Sequence, residues 1–452
     1  MVDPRARDSD GAPEGNGGGG VIVKLLSVFA LVHPTELFSV LMLTLDGILL
    51  LASYYFLKVI REPLILAAPH GAEVKSYATA FLAILLVGVF YGYRFVAQRT
   101  PRLKLITYTK LFCAACLVAF CVLGHAGVRI GIPFFLWVGC YSLTILAQLW
   151  AFANDIYTPE QGKRLFVIIG VGASAGALAG SWLAGLAIKP LGLYNMMLVP
   201  AATLMVCLAI VRAVNARVVV DAAQKKRDET PPGGKGGLSM LLSHRYLLLI
   251  AAIILLVNLV NTNGEYILDR TLEAVVDQRG YDQTQARLWL GEFKAGYFLW
   301  ANLVGVVLQL FVASRVLKYL DVRGGLFIYP VLALCTYGAM TAAATLGVVE
   351  FGKVAENALD YSIYNTVKQA LWLPTTREQK YVAKQAVDTF VVRSGDLASG
   401  FFVALGALVG ATTTHFTVLN VILAVVWLGV ALAAGRENKR RTAEMEAARA
   451  VA

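Results

Sequence analysis

The stretch VEFGKVAENALDYSIYNTVKQALWLPTTREQKY, residues 349–381, carries Glu350, Lys353, Glu356, Asp360 and Lys368 before its first proline, Pro374. The chain around it has 452 residues, 58% hydrophobic and only 15% charged, where soluble domains carry about 25% charged residues. The stretch is therefore either a solvated loop or a membrane helix with a polar face. Stepping ~100° per residue puts Glu350, Lys353, Asn357, Asp360, Tyr361, Tyr364 and Lys368 within an arc of roughly 100°. Ala355, Leu359, Ile363, Thr366 and Ala370 lie opposite. A loop has no reason to keep that segregation, whereas a membrane helix facing a central cavity does. The pattern predicts a membrane helix ending near Pro374. A helix lying on the membrane surface is the alternative, and it leaves an odd number of spans.

Outward from this stretch, apolar runs near the ~20 residues that cross a bilayer recur. They fall at 37–57, 77–97, 103–123, 132–153, 165–187, 196–214, 246–263, 293–313, 326–346, 390–408 and 416–434. With 349–373 they make about twelve, so the fold class expected is an all-α polytopic membrane protein. Residues 1–24 are Gly-rich and polar, lack the apolar core of a signal peptide and are expected to be disordered. Cys113, Cys116, Cys121, Cys140, Cys207 and Cys335 all fall in apolar runs and are expected to pack rather than bind metal.

The formal net charge of +11 follows mostly from basic residues in alternate connections, the positive-inside pattern. Arg99 and Arg102 (flanked by Arg94, Lys104 and Lys110), Lys163 and Arg164, Arg217 to Arg245, Arg315 to Arg323, Arg377 to Lys384 and the C-terminal Arg436 to Arg449 fall on one side. Arg129 and Lys189 stand alone opposite, and Arg270, Arg279, Arg287 and Lys294 form an exception in the seventh connection. Both ends are thus expected in the cytoplasm. The basic, Pro/Gly-rich segment 215–243 reads as a linker between six-helix bundles at 25–214 and 244–435, with a tail at 436–452. YFLKVIRE (Tyr55–Glu62) and YILDRTLE (Tyr266–Glu273) match at the Tyr, the Leu and the final Glu, as a parallel repeat requires. Two such halves are the major facilitator layout.

Ionisable residues inside spans are rare and usually face an interior or a water-filled cavity. Asp46 interrupts the first span, and Lys58, Arg61 and Glu62 close it. Gln148, Asn154 and Asp155 close the fourth. Asn258, Asn261, Asn263, Glu265 and Asp269 crowd the seventh, and Arg393 and Asp396 sit in the eleventh. Blander readings stand beside these: snorkelling for Lys58, Arg61 and Glu62, a helix cap for Asp155 and a private bridge for Arg393 and Asp396. Gly172, Gly176 and Gly180 follow the small-xxx-small spacing of close helix packing. No G-x-x-x-x-G-K-[ST] loop, HExxH motif or nucleic-acid module occurs. No enzyme activity, cofactor or metal is expected.

Two stretches then become informative together. WAFANDIYTPEQGKRLFVIIGVGASAGALAGS (Trp150–Ser181) and DYSIYNTVKQALWLPTTREQKYVAKQAVDTFVVRSGD (Asp360–Asp396) resemble the W-G-F-A-N and K-Y-S-L-F-D-P-x-K-E segments of the ATP/ADP translocase family of plastids and intracellular bacteria. YFLKVIREPLIL resembles its Y-x-x-L-R-D-x-K-D-x-L. The resemblance implies a twelve-helix carrier of the bacterial inner membrane that exchanges or takes up nucleotides, and a monomer is expected. It places Lys58, Arg61, Lys368 and Arg393 at the family's basic positions, with Glu265 at the acidic one closing the seventh span. Asn365 and Thr366 replace D-P, Gln369 replaces Glu, and Asp360 and Asp396 stand where the family has Lys. No acid matches the family's fourth-span one near Val138.

The expected substrate-binding residues are Lys58, Arg61, Tyr54, Asn154, Glu265, Asn357, Tyr361, Tyr364, Lys368 and Arg393, with Tyr54, Tyr361, Tyr364 or Trp150 stacking a base. Asp46, Asp155, Asp269, Glu356, Asp360 and Asp396 are expected to pair with cations or couple ions. The mixed stripe of acids and bases suits a zwitterionic solute as well as a nucleotide. A membrane scaffold without transport is the remaining alternative, and it leaves the intramembrane charges unexplained.

Overall fold

The computed structural model describes residues 32–33, 35–217, 237–376, 379 and 383–451. The expected tail at 1–24, the linker residues 218–236, Arg377, Lys380 and the side chains of Arg94, Lys163 and Arg449 lie outside the described residues.

Twelve long helical passages follow one another among the described residues, with no strand. They are α1 (Leu37–Leu66), α2 (Gly71–Ala97), α3 (Arg102–His125), α4 (Gly131–Ile156), α5 (Pro159–Asn195) and α6 (Leu198–Arg217). After a short helix, Gly237–Ser243, come α7 (Arg245–Gln278), α8 (Gln283–Phe311) and α9 (Ala313–Ala342). The last three are α10 (346–370), α11 (Lys384–Leu408) and α12 (Thr413–Val451). Eleven are long and apolar enough to cross a membrane. The protein is an all-α multi-pass membrane protein over the described residues.

The exception to that apolarity is α10, the passage that carries the opening stretch. It consists of an α-helix at Leu346–Leu359, a π turn at Asp360–Tyr364 and a further α-helix at Asn365–Ala370. At ~1.5 Å per residue these 25 residues reach about 37 Å, enough to cross. Its charges, not its length, keep it out of the apolar set. The π turn adds a residue to one turn, so positions after Tyr364 are rotated relative to the uniform helix expected from the sequence.

The loops at 67–70, 126–130 and 279–282 gather at one end of the molecule with the start of α12. Their residues share walls around Pro69, Arg129, Gln283 and Thr413. The connections at 98–101 and 157–158 lie at the other end, where Arg102 of α3 meets Asp155 of α4. Most helices run past their apolar runs toward these ends. Thus Lys58, Arg61 and Glu62 lie inside α1, Asp269 and Arg270 inside α7, and Arg287 and Lys294 inside α8. Arg270, Arg287 and Lys294 are therefore not connection charges.

Helix α1 packs backbone to backbone on α5. A Cβ at Gly176 would sit 2.2 Å from the Ile48 carbonyl oxygen, and one at Gly180 2.3 Å from that of Ala52. Glycine there lets the backbones touch, which is how membrane helices associate without a hydrophobic drive between them. Gly176→Leu is expected to force α1 from α5 and lower the unfolding temperature of the detergent-solubilised protein by several degrees; an unchanged melting curve would contradict this packing.

Candidate functional site

Helices α1 and α2 meet α7, α8 and α10 through a chain of buried charges toward the 67–70 end. Glu62 on α1, 1% exposed, accepts from Arg61 at 3.1 Å and from the Lys75 ammonium of α2. Lys75 also reaches Asp269 of α7 at 2.7 Å. Lys294 of α8 has no exposed surface; it donates to the other Asp269 oxygen at 2.8 Å and lies 3.6 Å from Glu62 and 3.9 Å from Glu265.

The chain continues into α10. Lys353, also fully buried, donates to Glu356 at 2.9 Å and to the side chain and carbonyl of Asn261 at 2.7 and 3.2 Å, with Glu265 at 3.8 Å. Tyr297 donates to Glu265 at 2.7 Å, Tyr337 to Glu356 at 2.8 Å, and Asn357 joins Glu265 and Tyr297. A Cβ at residue 264 would fall 1.9 Å from the Tyr337 hydroxyl and 2.9 Å from the Lys353 nitrogen, so Gly264 leaves the room in which they gather. Burying charges this deeply is tolerable only when each is paired and hydrogen-bonded; each of these has an ion-pair partner, with one Glu356 oxygen left without a hydrogen bond.

Lys58 is different. It makes no ion pair among the described residues, and its ammonium lies 4.3 Å from the Phe298 ring centroid and 5.4 Å from that of Tyr55, in cation–π contact. It lines a cavity of about 200 Å³ together with Arg61, Thr262, Asn357 and Tyr361. A second cavity of about 540 Å³ lies among α1, α4, α5 and α8, and Tyr361 lines both. The larger one reaches Val167 and Leu310, each more than half exposed, so it opens at the surface of the molecule.

Of the sequence-derived candidates, Lys58, Arg61, Glu265, Asp269, Asn357 and Tyr361 come together around the smaller cavity. Glu356 joins through Lys353. Tyr54 packs edge-on to Tyr55, centroids 5.4 Å apart, and Trp150 lines the larger cavity edge-on to Phe166. Asp360 and Lys368 make no ion pair among the described residues. Tyr364, the last residue of the π turn, is buried edge-on to Tyr329 of α9 rather than facing a cavity.

The others lie elsewhere. Asp46 is paired with Lys110 of α3 at 3.3 Å, in a buried contact that lines neither cavity. Asp155 pairs with Arg102 at 2.6 Å, and Thr158, not Asp155, caps α5. Asn154 is exposed near the 98–101 end. Arg393 and Asp396 pair across one turn at 3.1 Å, and Asp396 also accepts from Asn258 and Thr262, tying α11 to α7.

Lys75 and Lys294 were not among the expected residues. Lys294 had a legible signal, since WLGEFKAGYFLW surrounds it with apolar residues on both sides as a span would. Lys75 sits in the first turns of α2, where a cation looks interfacial, and only the fold brings it to Glu62.

No protein-family model matches the chain. It is 24% identical over 328 residues to ADP,ATP carrier protein 1 of Chlamydia pneumoniae, an alignment covering 64% of this chain and 63% of the relative. The chain thus spans less than two thirds of that relative's length. Its fold matches the nucleoside transporter NupG with a TM-score of 0.61 at 11% identity, over 87% of this chain and 98% of that one. It also matches the POT family transporter PepTSo with a TM-score of 0.61 at 12% identity, over 90% and 98%. The chain is therefore similar in sequence to the ADP,ATP carrier proteins of Chlamydia and has the fold of the major-facilitator-like secondary transporters.

Proposed function

We propose that this chain is a secondary transporter that moves a nucleotide or related organic anion across a bacterial inner membrane by alternating access. The observation that carries the reading is the buried network of Glu62, Lys75, Asp269 and Lys294, beside Lys58, a cation with no ion pair among the described residues. The network joins α1 and α2 to α7 and α8, so it acts as a closed gate between two six-helix halves at 25–214 and 244–435. Lys58 and Arg61 then receive the anionic group. The distribution of basic connections puts the 98–101 end and both termini in the cytoplasm, so the gate faces outward. The similarity to proteins named ADP,ATP carriers supports a nucleotide as cargo.

Uptake and counterflow of labelled AMP, ADP and ATP in proteoliposomes test the reading. Counterflow that depends on internal nucleotide is the result expected. No uptake, no counterflow and no thermal shift with any nucleotide would overturn it.

A further inference from the structure

The two cavities differ in chemistry in a way that narrows the substrate. Among the described residues lining the 540 Å³ cavity, none is charged. Its walls are mostly Leu, Val, Ala and Gly, including Leu149, Val171 and Val306, with Tyr55, Asn302 and Gln309 among the few polar groups. Asn302, 7% exposed, stands beside Tyr55 on this wall and adds no charge to it.

The 200 Å³ cavity is lined by three cations, Lys58, Arg61 and Lys75, and three acids, Glu62, Glu265 and Asp269. Arg61 and Lys75 already serve Glu62 and Asp269. The charge left for a ligand is that of Lys58. The carboxylates are matched by Arg61, Lys75, Lys294 and Lys353, so a nucleoside triphosphate placed here would bring several negative charges to a low-dielectric site with one cation unpaired among the described residues, and the surplus would repel. A phosphomonoester carries about −1.5 to −2 at neutral pH, which Lys58 and the near edge of Arg61 can meet.

We infer that the substrate is a phosphomonoester with a single anionic head and an apolar or aromatic body, not a nucleoside di- or triphosphate. The inference rests on the transport reading above. The head sits at Lys58, and the body passes Tyr361 into the larger cavity.

Binding to the purified full-length protein, in magnesium-free buffer, tests it with four probes: AMP, decyl phosphate, ribose 5-phosphate and ATP. AMP or decyl phosphate is expected to bind at least ~10-fold more tightly than ATP and ribose 5-phosphate, a difference of about 1.4 kcal/mol. Which of the two wins tells a nucleoside body from a lipid-like one. Val306→Trp and Ala173→Phe, each filling the larger cavity, are expected to weaken the probes with a body ~10-fold and leave ribose 5-phosphate unchanged. ATP binding most tightly, or ribose 5-phosphate matching the best probe, overturns the inference while sparing the transport reading. Failure of all four probes, together with failed nucleotide counterflow, overturns both.

Discussion

Lys294→Met is expected to destabilise the folded protein by about 3–5 kcal/mol, the cost of leaving a buried charge without its partner. Lys294 has no exposed surface and stands between Asp269, Glu62 and Glu265. Methionine fills much of the same space, so the loss comes from charge rather than from a cavity. The three carboxylates would keep only Lys75, Arg61 and Lys353 between them. The measurement is the unfolding midpoint of the detergent-solubilised protein beside that of Lys294→Met with Asp269→Asn. The double variant is expected to lose less than the sum of the two singles, because it removes a charge from each side. A single variant that melts with wild type would show that the network contributes little.

The second large effect is on activity. Lys58→Met is expected to cut nucleotide counterflow by about 10- to 100-fold, since a charge-assisted hydrogen bond contributes about 1.5–3 kcal/mol. Its melting temperature should stay near that of wild type. Lys58 has no carboxylate partner among the described residues, only the Phe298 and Tyr55 rings, so its removal strands no buried acid. Lys58→Arg should recover part of the rate, because the charge remains and the aromatic faces accept a guanidinium. Wild-type counterflow in Lys58→Met would remove Lys58 from the substrate path. The contrast between Lys58 and Lys294 separates a group held for the ligand from one held for the fold.

Most of the architecture was legible from hydropathy because the bilayer makes each span an apolar run. The opening stretch was legible as a helix despite its charges because they fall on one side. Its π turn was not, since nothing local in DYSIY differs from an α-helical sequence, and the later half of the polar arc was misplaced with it. Tyr364, the last residue of that turn, was expected at the cavity and lies against Tyr329.

Spans read from hydropathy come out short where charges flank the apolar run, at the end of α1 and α7 and at the start of α8. That is why Lys294 was counted among the connections although it lies 11 residues into α8. Pairings across helices were hidden for a different reason. Asp46 has no cation near it in its own helix, where Lys58 lies 12 residues on, and its partner Lys110 lies 64 residues away. The same holds for Lys75 and Asp269, which only the meeting of α2 and α7 joins. Sequence spacing reports neighbours on one helix, such as Arg393 and Asp396, and is silent about those between helices.

The gate itself can be opened without knowing the substrate. Spin labels at residues 68 and 277 report the 67–70 end, and labels at 160 and 373 report the opposite end, with exposed Cys335 replaced. In nanodiscs, Asp269→Asn weakens the ties to Lys75 and Lys294. The 68–277 distance is expected to lengthen while the 160–373 distance shortens, as alternating access requires. Distances that stay fixed, or that change in the same direction at both ends, would contradict the account.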